Sequence, residues 1–160
     1  MNYREVNEAM GEWLGRMADW DWYCTFTFRD PCDPRYPGWD RIGVKAANNA
    51  LNKWNAHIVN LLDWETNGGN PLWVACMEPQ DRGVPHWHVL AGNVAHLRRL
   101  GEVDWWFDHY GIARVFEYNA ELGARYYVGK YVTKRLSDIR FSPALAARLG
   151  RGGGCGAPGT

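Results

Sequence analysis

No stretch of the sequence approaches the roughly 20 uninterrupted apolar residues that a membrane-spanning helix needs, so no membrane partner is expected. The first residues, Met1-Asn2-Tyr3-Arg4-Glu5, are polar and carry no apolar signal-peptide core. Cysteine is sparse. Cys24, Cys32, Cys76 and Cys155 form neither a C-x-x-C pair nor a regular framework, which points to reduced thiols in a cytoplasmic protein. Net charge is missing as well, because 18 Lys and Arg balance 18 Asp and Glu, and a wholly basic surface is excluded. The sequence also shows no internal repeat.

What is present is a large apolar fraction. Hydrophobic residues make up 46% of the chain and include 10 tryptophans, which argues against disorder and for a sizeable core. A chain of 160 residues fits one domain, which at this size buries roughly 70% of its unfolded surface. Charge is unevenly placed: residues 111–160 hold eight Lys and Arg against three Asp and Glu. A basic C-terminal third on a neutral chain suggests a local anion site, although a solvated helix face would look the same.

Apolar periodicity over Val6, Met10, Trp13, Leu14 and Met17 predicts a first helix. Trp22 to Phe28 is dense in aromatic and β-branched residues and reads as a strand. A proline-punctuated loop, Arg29 to Trp39, leads to a long helix from about Asp40, a plausible N-cap, with Ala47, Ala50, Leu51, Trp54, Ile58, Leu61 and Leu62 on its apolar face. Leu72 to Glu78 and Pro85 to Ala91 read as paired strands, Val94 to Tyr110 as a helical stretch, Ile112 to Tyr118 as a strand, and Glu121 to about Leu136 as a helix. This order suits an α+β, ferredoxin-like or RNA-recognition-motif-like antiparallel sheet, with helices packed mainly on one face. The expected domain covers residues 1–148, and residues 149–160 form a glycine-rich flexible tail.

His86 and His88 stand two apart on a predicted strand, so their imidazoles project from one face while Trp87 and Val89 point to the core. Glu78, at the end of the paired strand, can complete a His-His-Glu metal set. His-x-His also arises by chance on exposed strands, but Gly83, Pro85 and Glu78 give this pair a tight turn, a stiff entry and a carboxylate within reach. Gln80 and Asp81 are weaker ligand candidates, and His57, His96 and His109 fall at unrelated spacings. A mixed imidazole–carboxylate set with open positions suits Mn²⁺, Mg²⁺ or Zn²⁺, and the sequence does not choose among them.

The second informative segment runs from Tyr126 to Lys134. At about 100° per residue, Tyr127, Lys130, Tyr131 and Lys134 share one arc, opposite Leu122, Tyr126, Gly129, Val132 and Leu136, the expected core face. A phenol is a poor nucleophile near neutrality, its pKa being about 10, unless a cation stabilises the phenolate. Each of these two phenols has a lysine three residues on. An aromatic and cationic face that merely packs a neighbour is the bland alternative.

Together these features resemble the HUH endonuclease superfamily, in particular rolling-circle replication initiators (Rep proteins) of the two-tyrosine phage and plasmid type. Thr25-Phe26-Thr27-Phe28 looks like the first-strand motif. The segment from Glu78 to His88 looks like E-x-Q-x-R-G-x-P-H-hydrophobe-H, and that from Tyr127 to Lys134 like Y-x-x-K-Y-x-x-K. The resemblance implies metal-dependent nicking and joining of single-stranded origin DNA through a 5′-phosphotyrosine, with the tyrosine helix over a metal site of Glu78, His86 and His88. Tyr127 would be the first nucleophile, Tyr131 the second, and Lys130 and Lys134 would stabilise charge. It further implies Mn²⁺ or Mg²⁺ before Zn²⁺, host replication proteins such as a helicase as partners, and the cytoplasm of a bacterium or phage-infected host. Two other readings stay open. One is a non-catalytic single-strand binder that stacks bases on Phe26, Phe28, Trp73 or Trp87; the other is a metal hydrolase that activates water.

Overall fold

The computed structural model describes residues 2–35, 41–62, 69–79, 83–129 and 139–151. Helix α1 (Tyr3–Met17) opens on a capping box, in which Asn2 accepts from the Glu5 N–H and the Glu5 carboxylate accepts from the Asn2 N–H. Strand β1 (Trp22–Thr27) alternates buried and half-buried residues. It sends Trp22, Cys24 and Phe26 into one core and turns Tyr23, Thr25 and Thr27 the other way. Helix α2 (Val44–Leu61) buries Ala47, Ala50, Leu51, Trp54 and Ile58 of the predicted face; Leu62 is buried as the C-cap, whereas Leu61 is exposed in the last turn. Its N-cap is Gly43, with no side-chain cap; Asp40 lies outside the described residues.

Strands β2 (Leu72–Pro79) and β3 (Pro85–Gly92) follow, then helix α3 (Arg99–His109) and strand β4 (Ala113–Glu117). The chain continues to strand β5 (Ile139–Phe141) and helix α4 (Pro143–Arg151). The five strands form one sheet in the order β4-β1-β3-β2-β5, and every neighbouring pair is antiparallel. This is the expected α+β architecture. On one face, α2 and α3 cover a core of Trp22, Phe26, Trp54, Trp73, Trp87 and Trp106. The Trp87 indole N–H donates to the Ala47 carbonyl at 3.0 Å, tying β3 to α2. A buried carboxylate, Glu102 of α3, accepts from the Trp54 N–H at 3.0 Å and lies 3.3 Å from His57. Burial pushes the Glu102 carboxyl up, and the His57 charge opposes that rise.

The other face carries a second core of Leu14, Trp20, Val74, Leu90, Tyr127 and Leu145, under α1, the segment around Tyr127 and α4. Strand β5 and helix α4 are absent from the sequence reading, and the expected boundary at residue 148 falls inside α4. Three residues are too few for β5 to show a period. The start of α4 does carry a signal: Ser142 precedes Pro143, and its hydroxyl accepts from the Leu145 N–H at 3.2 Å and from the Trp73 N–H at 3.1 Å.

Gly111 sits where the chain re-enters the sheet. A Cβ there would lie 2.6 Å from the Thr27 carbonyl oxygen and 2.9 Å from the Phe28 carbonyl carbon and the Arg29 nitrogen. All three are backbone atoms, fixed by the flanking bonds Thr27 N–H to Ile112 O and Arg29 N–H to Tyr110 O, both 2.9 Å. Gly111→Ala is therefore expected to destabilise the fold by about 1–3 kcal/mol, read as a lower denaturant midpoint by circular dichroism.

Candidate metal centre

Antiparallel pairing places Glu78 of β2 directly opposite His86 of β3, while His88 lies between Cys76 of β2 and Thr25 of β1. Directly opposed residues share a side of the sheet, so Glu78, His86 and His88 project together, away from the core that holds Trp87 and Val89. The Glu78 Oε2 lies 3.0 Å from His86 Nε2 and 2.9 Å from His88 Nε2, and the two Nε2 atoms are 2.9 Å apart. These three groups bring their ligand atoms within one cluster, the metal set expected from sequence. Gly83, at φ +72°, takes the left-handed conformation that the turn before β3 requires. Gln80 and Asp81 lie outside the described residues.

The protonation states suit cation binding. For His86, burial lowers the pKa, and the Glu78 charge and hydrogen bond only partly restore it, so the ring tends to stay neutral with a lone pair to give. For Glu78, burial acts to raise the pKa, but the hydrogen bond and charge of His88, with those of His86, outweigh it and hold the carboxyl below its ordinary range. Two imidazole nitrogens and a carboxylate oxygen thus converge at mutual distances that need a proton or a cation among them. Cys76, beside His88 in the register, does not join that cluster of ligand atoms. Burial pushes its thiol up to about 12.

The sequence reading overlooks Tyr23. Its hydroxyl lies 2.8 Å from His88 Nδ1, and the two rings are parallel within 6°, their centroids 6.1 Å apart. In the tautomer that leaves Nε2 a lone pair, Nδ1–H donates to the Tyr23 oxygen and fixes the ring's orientation. The alternation of β1 puts Tyr23 on the face of Thr25 and Thr27, but its contact with His88 depends on strand register, which no local pattern shows. Tyr23→Phe is expected to weaken divalent-metal affinity about 10- to 100-fold with the fold intact, measured by Mn²⁺ titration calorimetry.

The tyrosine segment does lie on the metal-site face, through Arg125–Gly129, where the helix widens to π geometry. Gly11 of α1 admits it: a Cβ there would stand 2.4 Å from the Arg125 Cβ. Among the described residues of this segment, however, the expected burial is reversed at three positions. Leu122 and Tyr126 are 49% and 64% exposed, whereas Tyr127 is 8% exposed. The widened turn departs from the regular 100° step. Burying Tyr127 also leaves no polar atom stranded, because the Asn119 N–H donates to its hydroxyl oxygen at 3.0 Å. The Tyr127 ring packs on Tyr23 at 4.8 Å and Tyr118 at 5.2 Å, one ring removed from His88. Lys130, Tyr131 and Lys134 lie outside the described residues.

Two other expectations change. Phe26, Phe28, Trp73 and Trp87 are all buried, which removes them as base-stacking surfaces because the first-face helices cover them. The basic C-terminal third does not form one patch among its described residues. Arg114 lies on β4 at one sheet edge and Arg140 on β5 at the other. By register Arg114 shares the face of Thr25 and His88, while Arg140 is paired with Ala75, on the opposite face.

Comparison with known families matches the chain to the replication-associated protein ORF2 family, over residues 21–136. That span runs from β1 through both histidines to Tyr127 and Tyr131. Among curated proteins and solved structures, none matches the chain.

Proposed function

This chain belongs to the replication-associated protein ORF2 family, and on that premise we propose that it nicks and rejoins single-stranded DNA at a replication origin through a tyrosine. The chemistry is that of the two-tyrosine, HUH-type initiators its motifs resemble. The observation that carries this reading is the convergence of Glu78 Oε2, His86 Nε2 and His88 Nε2 at 2.9–3.0 Å, on the face where Tyr127 packs.

Two imidazole nitrogens and a carboxylate oxygen would hold Mn²⁺, Mg²⁺ or Zn²⁺, and the resemblance to two-tyrosine initiators favours Mn²⁺ or Mg²⁺. A divalent cation bound there supplies Lewis acidity to a non-bridging oxygen of the scissile phosphate and offsets charge in the transition state.

The chain's own residues do the rest. Tyr23 orients His88, and burial keeps His86 neutral. A phenolic oxygen of Tyr127 or Tyr131 attacks phosphorus as its proton is released. The phosphorus–3′-oxygen bond breaks and the departing oxygen takes up a proton, in net the one the phenol lost, giving a 5′-phosphotyrosine and a free 3′-OH able to prime synthesis. Attack by a 3′-OH on that ester rejoins the strand and restores the phenol, so two tyrosines allow cleavage and joining to alternate. Lys130 and Lys134, each three residues after a tyrosine, stabilise phenolate or phosphate charge. Host replication proteins, among them a helicase to unwind the duplex, would act from the exposed 3′ end, in the cytoplasm. The domain that does this covers the expected residues 1–148 and the rest of helix α4 to Arg151. The test is incubation with labelled single-stranded origin DNA and Mn²⁺. A covalent protein–DNA adduct supports the reading, and metal-dependent cleavage without an adduct assigns the site to water activation instead.

A further inference from the structure

One edge of the sheet carries a surface that the metal centre does not use. In β4, Ala113 and Val115 are buried against α3, and the intervening residues face the other way. Ile112, Arg114 and Phe116 form that outer row; Ile112 is 45% and Phe116 52% exposed, and Arg114 is exposed between them. Register connects the row to the metal centre. Arg114 lies opposite Thr25, which lies opposite His88, and Phe116 lies opposite Tyr23, whose hydroxyl contacts His88. Strands stand about 4.8 Å apart, so the row runs roughly 10 Å from β3.

A charge on an edge strand is often a guard against edge-to-edge pairing. That accounts for Arg114 alone. It does not account for exposed apolar side chains two residues to either side, which favour pairing. Among the described residues no carboxylate engages Arg114; Glu117, the nearest acid in sequence, pairs with Arg99 at 3.2 Å. An unpaired guanidinium between two apolar groups, spaced about 6.6 Å along a strand, matches a ligand whose charges and flat apolar faces alternate. A single nucleic-acid strand is such a ligand.

We propose that this outer row of β4 binds the single-stranded DNA beside the cleaved phosphate, with Arg114 on a phosphate and Phe116 stacked on a base. The proposal rests on the nicking function above. It fixes the side on which the strand leaves the metal centre: across Thr25 of β1 toward β4. Ile112 supports a second base by apolar contact.

The test is fluorescence anisotropy of the full chain with a labelled mixed-sequence single-stranded DNA, in EDTA so that no metal contributes. Phe116→Ala is expected to weaken binding about 5- to 150-fold, and Phe116→Trp to preserve it. Arg114→Gln is expected to reduce the slope of log affinity against log salt by about 0.7, the loss of one phosphate contact. Arg114→Glu separates the two explanations, since it keeps a guarding charge on the edge yet repels phosphate; it is expected to bind more weakly than Arg114→Gln. Both positions are exposed, and unchanged thermal midpoints establish that the variants fold. Parent-like affinity in both Phe116→Ala and Arg114→Glu overturns the proposal, as does equal binding of blunt duplex or no binding by the parent chain. Failure here is distinct from failure of the tyrosine chemistry: adducts that form regardless of these substitutions count against this surface only, and stripe-dependent binding without adducts counts against the chemistry only.

Discussion

His88→Ala is expected to abolish divalent-metal binding and adduct formation while leaving the chain folded. His88 is the middle member of the site: its Nε2 lies 2.9 Å from both Glu78 Oε2 and His86 Nε2, and its Nδ1 is held by Tyr23. Loss of a supporting partner such as Tyr23 typically costs 10- to 100-fold in metal affinity, so loss of the ligand itself should exceed about 100-fold. The fold survives because the core behind β3 is made by Trp87 and Val89, on the opposite side. Mn²⁺ titration calorimetry reads the affinity, and circular dichroism reads the fold. Native metal affinity in a folded His88→Ala chain would remove the metal centre from the mechanism.

Proton competition gives the same site a signed pH dependence. The His86 pKa is lowered from its ordinary 6.5, so the folded chain binds fewer protons there than the unfolded chain does in the window just below that value. Stability from this group is therefore present above the ordinary value and is lost as pH falls through the lowered one. Glu78, also lowered, acts with the same sign nearer 4.5. Metal affinity is expected to fall as the pH falls and protons compete for these ligands, and calorimetry across a pH series checks the direction.

Much of the metal centre is legible in the sequence because it depends on local regularities. The two-residue period of a strand puts His86 and His88 on one face, and a short turn brings Glu78 opposite His86 in the register. Tyr23 is not legible, because its contact with His88 joins residues 65 apart in the chain. The burial of Tyr127 escapes a sequence reading for a related reason. A helical wheel assumes a regular step and treats a phenol as polar, whereas the widened turn changes the step and Asn119 satisfies the hydroxyl. Strand β5 and helix α4 escape because one is three residues long and the other is overshadowed by the glycine-rich segment after it. The outer row of β4 requires the sheet order itself, which places β4 at an edge beside β1.

Replacing both Tyr127 and Tyr131 with phenylalanine is expected to eliminate the covalent DNA adduct without eliminating DNA binding. Removing a nucleophile in covalent catalysis has cost on the order of 10⁶ in rate, so the adduct should fall below detection rather than decline by degrees. The substitution at 127 is conservative for the fold. It keeps the ring contacts with Tyr23 and Tyr118 and loses one hydrogen bond from Asn119, worth about 0.5–1.5 kcal/mol. Asn119 is exposed, so water can take its N–H; Tyr131 lies outside the described residues, and circular dichroism of the double variant separates a missing adduct from unfolding. The order of attack is a finer question. The Tyr127 hydroxyl already accepts the Asn119 N–H, and its buried ring must turn outward to meet a phosphate. With Tyr127 as first nucleophile, peptide mapping of the parent chain's adduct should find the DNA on Tyr127, and on Tyr131 in the Tyr127→Phe variant. A first adduct on Tyr131 would reverse the order and make the buried Tyr127 the residue that waits. An undiminished adduct in the double variant would end the tyrosine mechanism altogether.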